Sequence, residues 1–398
     1  MSRISTLGMH QLALAQMQAR QAELSRTQQQ MATQRRLLDG RDDPVAAGVG
    51  IVLDRAAAEH ERFATNASTL RHRLELQETA LGDAGDRIAR LREIAIQANG
   101  GIQTPDTRRA FLAELQEQRR ALVALANGSD GQGRHLFGGT ADGSPPFVES
   151  AGAVSYAGDQ TQREVEIAPG VALRDVDPGS EVFLRVRTGN GIVAARADAA
   201  NTGTAVLKSA GFTDQGQWSG DAHRIVFNAG TYEVRDAANA VVGSGAYVPG
   251  QAIAIDGYQV TLQGTPADGD AFAVGPAPNR DLFATVDALI ALVQMPDTPA
   301  SARAAQQNGF YAMIEDLGEA ADHVVDLRSA SGARLASIDT TAEERDAQLL
   351  SLRTTLSSLR DLDYAEATSR LSRDIAALEA SQLSFARIQS LSLFALLR

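Results

Sequence analysis

The chain has 398 residues, 44% of them hydrophobic, and a formal net charge of −12. That length can bury the cores of two or three domains, while the acidic balance argues against a general nucleic-acid binder, which needs a basic face to neutralise phosphates. Cysteine is absent, which excludes disulfides, thiolate metal sites and cysteine nucleophiles together and suits a chain that crosses from a reducing to an oxidising compartment.

Proline divides the sequence into three parts. Eight of the twelve prolines lie between Pro145 and Pro278, and none lies beyond Pro299, so long helices are confined to the flanks of a non-helical middle. The expected fold class is α+β, a long antiparallel helical bundle or coiled coil formed by both chain ends, with an inserted antiparallel β-rich domain. The expected domains are 1–40 with 360–398, a terminal coiled-coil assembly domain; 41–130 with 281–359, a helical bundle; and 131–280, an inserted outer β-rich domain.

In chain order, Leu7, Leu14, Met17, Leu24 and Met31 repeat on one heptad frame, interrupted by His10, Gln21 and Gln28. The first 38 residues carry Arg3, Arg20, Arg26, Arg35 and Arg36 against the single acid Glu23, with no apolar h-region and no small-residue cleavage site. Export, if it occurs, is therefore expected without a cleaved Sec-type leader. Asp42 and Asp43 before Pro44 predict an N-cap and a second helix, a more economical reading than a paired-carboxylate metal or acid-base site.

From Asn66 to Asn99 the three-four alternation is at its most regular, through Leu70, Leu74, Gln77, Leu81, Ala84, Ile88, Leu91, Ala95 and Ala98. It predicts a coiled-coil-like helix ending at Gly100 and Gly101. Phe111, Leu115, Leu122 and Leu125 predict a helix back to about Asn127, completing a hairpin.

The period then changes. VSYAGD, REVEIA, EVFLRV, HRIVFN, TYEVR, YQVTLQ and DAFAVG are short alternating runs separated by Gly, Pro, Asn and Asp, which predicts antiparallel sheet, with Asn228, Ala229 and Gly230 marking a hairpin. Helix returns with Phe283, Val286, Leu289, Ile290 and Val293, ended by Pro296 and Pro299. A longer helix from about Ser301 carries Phe310, Ile314, Leu317, Val324 and Leu327, with a weak interval expected near Gly332. This second helical set is expected to pack on the first.

The last stretch places Tyr364, Leu371, Ile375, Leu378, Phe385 and Leu396 in a narrow seam that calls for another helix, with Gln382 and Gln389 as interruptions. Seams so interrupted gain little from a single pairing, so both are expected to be weakly folded in the free chain. Leu391, Leu393, Phe394, Leu396 and Leu397 form an apolar tip that needs cover.

Tests for chemistry return little. The six histidines show no ligand spacing, and His60 with Glu61 fails as a zinc-protease motif because Ala64 stands where the second histidine belongs. Asp268 to Asp270, and Asp175 with Asp177, lack the distal glutamate of a calcium loop, so turn chemistry is expected there. The glycines at 131, 133, 138 and 139 lack the lysine and the strand-to-helix context of a phosphate loop. Trp218, Tyr232, Tyr247 and Tyr258 are candidates for a glycan platform, although aromatic residues in strands more often belong to a core. No catalytic group, cofactor or metal is expected. No apolar run reaches the roughly 18 residues that span a bilayer, and no membrane insertion is expected.

The opening SRIST, the DDPVAA segment, GRHLFGGT followed by PPF, the YAGD turn and the ending DLDYAEATSRLS…SFARIQSLSLF together resemble the bacterial hook-filament junction proteins, the third hook-associated proteins related to flagellin. The likeness covers about two thirds of the chain and is weak in the sheet region. Gly40 and Arg41 replace the usual small-residue and serine lead into DDP. The resemblance implies an inner helical layer built from the two chain ends, a second helical layer around it and an exposed sheet domain. It also implies unfolded export through the flagellar type III apparatus and a structural role adapting hook to filament. The implied partners are copies of the chain in a ring, a neighbouring hook-associated protein on the hook side, flagellin on the filament side, and an export chaperone at the C-terminal helix, for which Leu391, Leu393, Phe394 and Leu397 are contact candidates. The implied assembly seam is Leu7, Leu14, Met17, Leu24, Met31, Leu371, Ile375, Leu378, Phe385 and Leu396. Three other readings remain: a flagellin subunit, a glycan-binding or enzymatic β domain on a helical scaffold, and a soluble coiled-coil scaffold that never leaves the cytoplasm.

Overall fold

A computed structural model describes residues 6–100, 104–150 and 152–396, with the side chains of residues 6, 7, 9, 10 and 388–396 outside the description. The chain forms two compact units, 1–65 with 341–398 and 66–340.

The first unit is helical. It holds α1 (Thr6–Thr33), α6 (Tyr364–Leu396), the first part of α2 (Pro44–Asn99) and the last part of α5 (Ala300–Arg360). Gln34 ends α1 by entering the left-handed region at φ 60°. Asp43 then caps α2 as the sequence predicts, its Oδ1 accepting the Ala46 amide at 3.0 Å. At the other break Asp363 caps α6, accepting from Ala365 and Glu366 at 2.8 and 3.1 Å. The two breaks lie side by side. The Arg36 amide donates to Arg360 O at 2.8 Å and the Leu362 amide to Gln34 O at 3.1 Å, so each break supplies hydrogen bonds to backbone that the other leaves unpaired.

The expected interval near Gly332 is a misreading. α5 runs through Gly332 without a break, because one glycine costs a long helix only about 1 kcal/mol. The interruption comes where Asp361 and Asp363 offer capping chemistry.

The second unit contains the rest of α2 and α5 with α3 (Pro105–Ala126) and α4 (Leu282–Gln294). All nine residues of the predicted α2 stripe are buried. Arg87 and Arg90 donate to Gln118 and Glu114 at 3.0 and 2.6 Å, which fixes α2 and α3 as an antiparallel pair. Their apolar faces share one core with α4 and α5, through Leu91, Leu122, Val286 and Leu317 among others.

Strands follow in two groups. β1 (Phe147–Ser150) pairs with β2 (Ala153–Tyr156), β3 (Glu164–Ala168) with β4 (Val171–Arg174), and β5 (Val186–Arg187) with β14 (Asn279–Arg280), all antiparallel. Between β5 and β14 lie β6 (Val193–Ala197), β7 (Val206–Phe212), β8 (His223–Asn228), β9 (Thr231–Arg235), β10 (Val241–Ala246), β11 (Ala252–Ile255), β12 (Tyr258–Gln263) and β13 (Ala271–Pro276). They form a sheet of order β10-β9-β8-β13-β6 and another of order β11-β12-β7. Ile225, Phe227 and Phe272 from the first meet Leu207, Val260 and Leu262 from the second in a separate core. The predicted hairpin at Asn228 is a two-residue turn with Ala229 at φ 46° and Gly230 at φ 78°, the primed geometry that follows strand twist.

EVFLRV is the misassigned strand. Ser180–Leu184 is a π-helical turn, and only Val186–Arg187 pairs. Val182 and Phe183 are adjacent and both buried, which the side-to-side alternation of a strand does not provide. The sandwich docks on α5 through Asn308, whose side chain accepts from Leu207 N at 2.7 Å and donates to Ala205 O at 3.0 Å.

Candidate assembly surface

α1 and α6 pack along their length. On α1 the less exposed residues described are Ala13, Met17, Leu24, Thr27, Gln30 and Met31; on α6 they include Ala367, Leu371, Asp374, Leu378, Ser381 and Phe385. Both sets keep three-four spacing, so each helix presents one narrow stripe. One line of each stripe is large and apolar: Met17, Leu24 and Met31 on α1, Leu371, Leu378 and Phe385 on α6. The other is small or polar, and across it Thr27 Oγ1 donates to Asp374 Oδ2 at 3.0 Å. Tyr364, though exposed over its ring, donates its hydroxyl to Met31 O at 3.1 Å.

Three of the interrupting glutamines, Gln21, Gln28 and Gln382, stand elsewhere, while Gln389 and His10 lie outside the described side chains. Leu14, Gln21 and Gln28, seven residues apart, are all exposed, as are Ile375 and Gln382. The sequence pattern thus merges two faces, one turned to the partner helix and one turned outward. Leu14 is 47% exposed and Ile375 41%, leaving apolar area on the outward face. A second outward stripe lies on the first part of α2, where Val45, Val49 and Val52 follow i, i+4, i+7 and Val45 is 76% exposed. The predicted seam positions Leu7 and Leu396, and the tip residues Leu391, Leu393, Phe394 and Leu397, lie outside the described side chains.

The same unit holds a groove that the periodicity does not reveal. Five arginines line it, Arg20, Arg26, Arg36, Arg370 and Arg373, around about 630 Å³. Glu23, Asp42 and Asp374 are the carboxylates in its wall. Arg26 pairs with Asp42, and Arg20 with Glu23 at 2.9 Å. Amide hydrogen bonds from Leu38 and Asp39, then the Arg26 guanidinium, hold the Asp42 carboxyl below the usual carboxylate range. Arg370 pairs with Glu366, whereas Arg373 donates from Nε to Ser369 O at 3.2 Å and forms no ion pair among the described residues. The basic excess of the first 38 residues is the sequence signal for this groove, since Arg20, Arg26 and Arg36 all enter it.

In the second unit the short motifs converge. Phe137 from GRHLFGGT, Phe147 from PPF and Tyr156 from YAGD join Phe183 and Phe283 in one aromatic cluster, with Phe137 edge-on to Phe183 at 5.3 Å. The Tyr156 hydroxyl lies 2.9 Å from Phe137 O and 2.7 Å from Asp159 O, its one proton shared between the two carbonyls. Gly139, at φ 67°, stands so close to Asp159 that an added Cβ would lie 2.4 Å from its carbonyl oxygen. Hydrogen bonds from the Thr140 hydroxyl and amide, then the Thr161 amide, lower the Asp159 pKa to about 2.

Asp175 and Asp177 do more than turn the chain. Buried Arg73 on α2 reaches Asp175 at 3.0 Å and Asp130 at 3.1 Å, while Arg334 on α5 and Gln77 on α2 hold Asp177 at 2.8 and 2.7 Å. Two helices and two loops are tied together by this polar layer. Among the described residues no group of three His, Cys, Asp or Glu side chains could hold a metal ion, and no helix is long and apolar enough to cross a membrane. The aromatic candidates do not make one platform. Tyr258 is buried beside Phe212 and Trp218, whereas Tyr247 packs on Phe227 and donates to Gly264 O at 2.8 Å.

Residues 4–142 match the bacterial flagellin N-terminal helical region, and residues 196–276 match the D2-like domain of flagellar hook-associated protein 1. The chain is 28% identical to flagellar hook-associated protein 3 of Salmonella typhimurium over 46% of its own length and 56% of that relative's. It is thus aligned with little more than half of that curated relative. Among solved structures, FlgL of Xanthomonas campestris is 42% identical with a TM-score of 0.72, over 77% of this chain and 99% of that one. The flagellar junction protein FlgL of Legionella pneumophila is 27% identical with a TM-score of 0.69, over 79% of this chain and 100% of that one.

Proposed function

The chain belongs to the FlgL family of flagellar hook-associated proteins, and from that premise we propose that it is a non-catalytic junction subunit that adapts the hook to the flagellin filament. Copies form a ring, with a neighbouring hook-associated protein on the hook side and flagellin on the filament side. Residues 1–40 with 360–398 are the assembly domain, 41–130 with 281–359 its supporting bundle, and 131–280 the outer domain. The chain reaches the flagellum by type III export, and a chaperone holds its C-terminal stretch at Leu391, Leu393, Phe394 and Leu397 until assembly.

The observation that carries this reading is the outward face of the α1 and α6 pair. Leu14 and Ile375 lie there half-exposed among glutamines, and a neighbouring copy can bury the apolar area that the described residues leave open. Helices with two usable faces suit heterologous contacts, which repeat from copy to copy instead of closing as a pair. Met17, Leu24, Leu371, Leu378 and Phe385 hold the two helices together, and Leu14 and Ile375 meet the neighbour.

Two variants test this in a strain lacking its own copy, Phe385→Asp for the pairing of α1 with α6 and Ile375→Asp for the outward face. Each should be exported, fold normally over residues 66–340 and fail to retain filaments. Filaments retained at wild-type number by either would refute the face it tests. Residues 4–142 also match flagellin's own helical region, so a filament subunit is the competing reading; protein found along the whole filament would favour it.

A further inference from the structure

Among the described residues, the members of the chain's three apolar cores all lie between Ala67 and Ile338. In the unit formed by 1–65 and 341–398 the buried apolar side chains described are Ala46, Phe63 and Ala367. There the first part of α2 and the last part of α5 run antiparallel, joined by ion pairs from Arg353 to Glu61 at 2.7 Å and from Arg360 to Asp54 at 2.9 Å. Arg345, Leu349, Leu352, Leu356 and Leu359 follow one three-four line on α5, all buried or partly buried. A guanidinium thus stands at a seam position that leucine fills in each of the next four steps.

Arg345 is 8% exposed. Its Nε and Nη1 are buried with no hydrogen-bond partner among the described residues, and its Nη2 reaches Asp346 at 3.6 Å, whose own side chain is 72% exposed. On α2 the His60 Nδ1 is buried and equally without a partner there. The other two buried arginines are answered by carboxylates, Arg73 by Asp130 and Asp175, Arg119 by Asp287 and Glu149. A buried charge without compensating contacts destabilises the packing that buries it, and opening returns it to water.

We propose that Arg345 is a built-in point of opening, at which the last part of α5 separates from the first part of α2 while residues 66–340 stay folded. The separation is local because parting this seam exposes little fully buried apolar area, whereas the other unit keeps its cores. For a subunit threaded unfolded through an export channel, such a point lowers the work of undoing its assembly unit. That use rests on the junction reading; the opening itself does not.

Amide hydrogen exchange on the full-length chain tests the proposal, read over residues 50–63 and 345–359 against residues 81–98. Arg345→Met keeps an apolar stem and removes the charge, so exchange in both stretches should slow roughly tenfold while 81–98 keep their wild-type rate. Arg345→Lys keeps the charge and should stay within about threefold of wild type. Arg345→Leu repeats the neutral variant with another shape, which tells a packing fault in one variant from the loss of the charge. Unchanged exchange in both neutral variants overturns the proposal. Faster exchange in both does so too, since the guanidinium would then hold the seam together, as does equal slowing at 81–98, which would place the effect on the whole chain. Secretion into the medium by cells lacking their own copy reads the export use separately: Arg345→Met should be secreted more slowly, and secretion at the wild-type rate would refute that use. Absence of the wild-type chain from flagella would instead refute the junction reading.

Discussion

The Thr27 hydroxyl on α1 donates to the Asp374 carboxylate on α6 across 3.0 Å, joining residues 347 positions apart in the sequence. Thr27 is buried, and it occupies the small or polar line of a stripe whose other line is Met17, Leu24 and Met31. Replacing it with valine keeps the shape and removes the donor, leaving the carboxylate short of a partner at a cost of roughly 1–3 kcal/mol. Amide exchange over residues 17–31 and 367–381 should accelerate about tenfold, the equivalent of 1.4 kcal/mol, while residues 81–98 keep their wild-type rate. Equal acceleration in both regions would mean that the bond is not local to this helix pair.

Arg73 holds two buried carboxylates at once, Asp130 and Asp175. Arg73→Leu preserves much of the apolar stem and removes the buried cation shared by both acids. Asp130 is left to the Gln132 and Arg134 amides and Asp175 to Arg163 at 3.7 Å, so the second unit should lose roughly 3 kcal/mol. Urea unfolding followed by a probe in residues 66–340 measures this, with a lowered midpoint expected at unchanged slope. A loss below 1 kcal/mol would show that the layer is dispensable.

Gly139→Ala combines a backbone conformation at φ 67° with a Cβ placed 2.4 Å from Asp159 O. Left-handed strain alone costs about 1–3 kcal/mol, and the carbonyl must also retreat. The thermal midpoint should fall and near-ultraviolet dichroism from the Phe137, Phe147 and Tyr156 cluster should weaken. Gly131→Ala is the control, because it has similar φ with nothing within 4 Å, and it should cost less.

Asp159 gives a pH dependence of known sign. Its pKa falls from 3.8 to about 2 in the folded chain, so it binds its proton more weakly folded than unfolded. The stabilisation is therefore complete above about pH 4 and is lost as pH drops from there through about 2. Asp159→Asn should flatten that part of the acid limb of the melting curve. The variant should differ from wild type less at pH 2 than at pH 5; a constant difference would contradict the assignment.

Local chemistry was readable from residue order. Asp43 with Pro44 marks the start of α2, Asn127 the end of α3, and the 66–99 stripe a buried face, because capping and periodicity act over neighbouring residues. Where a residue has two uses, sequence pattern is ambiguous. Gln21 and Gln28 looked like flaws in a seam because heptad spacing identifies lines along a helix but not which line meets the partner. Gly332 looked like a break because a glycine signals one only when the surrounding helix has no other support. Asp175 and Asp177 looked like turn residues, since nothing nearby in sequence announces Arg73 and Arg334 as partners. Val182 and Phe183 were lost as strand residues to an aromatic cluster assembled from four distant segments. The arginine groove was visible only as an excess of charge near one end.

Immunogold labelling of intact flagella, in a strain whose only copy of this protein carries an epitope in the β8 to β9 turn, tests the junction assignment most directly. The account predicts one band of gold where hook meets filament. Label along the filament, or on the hook without a filament boundary, would contradict it.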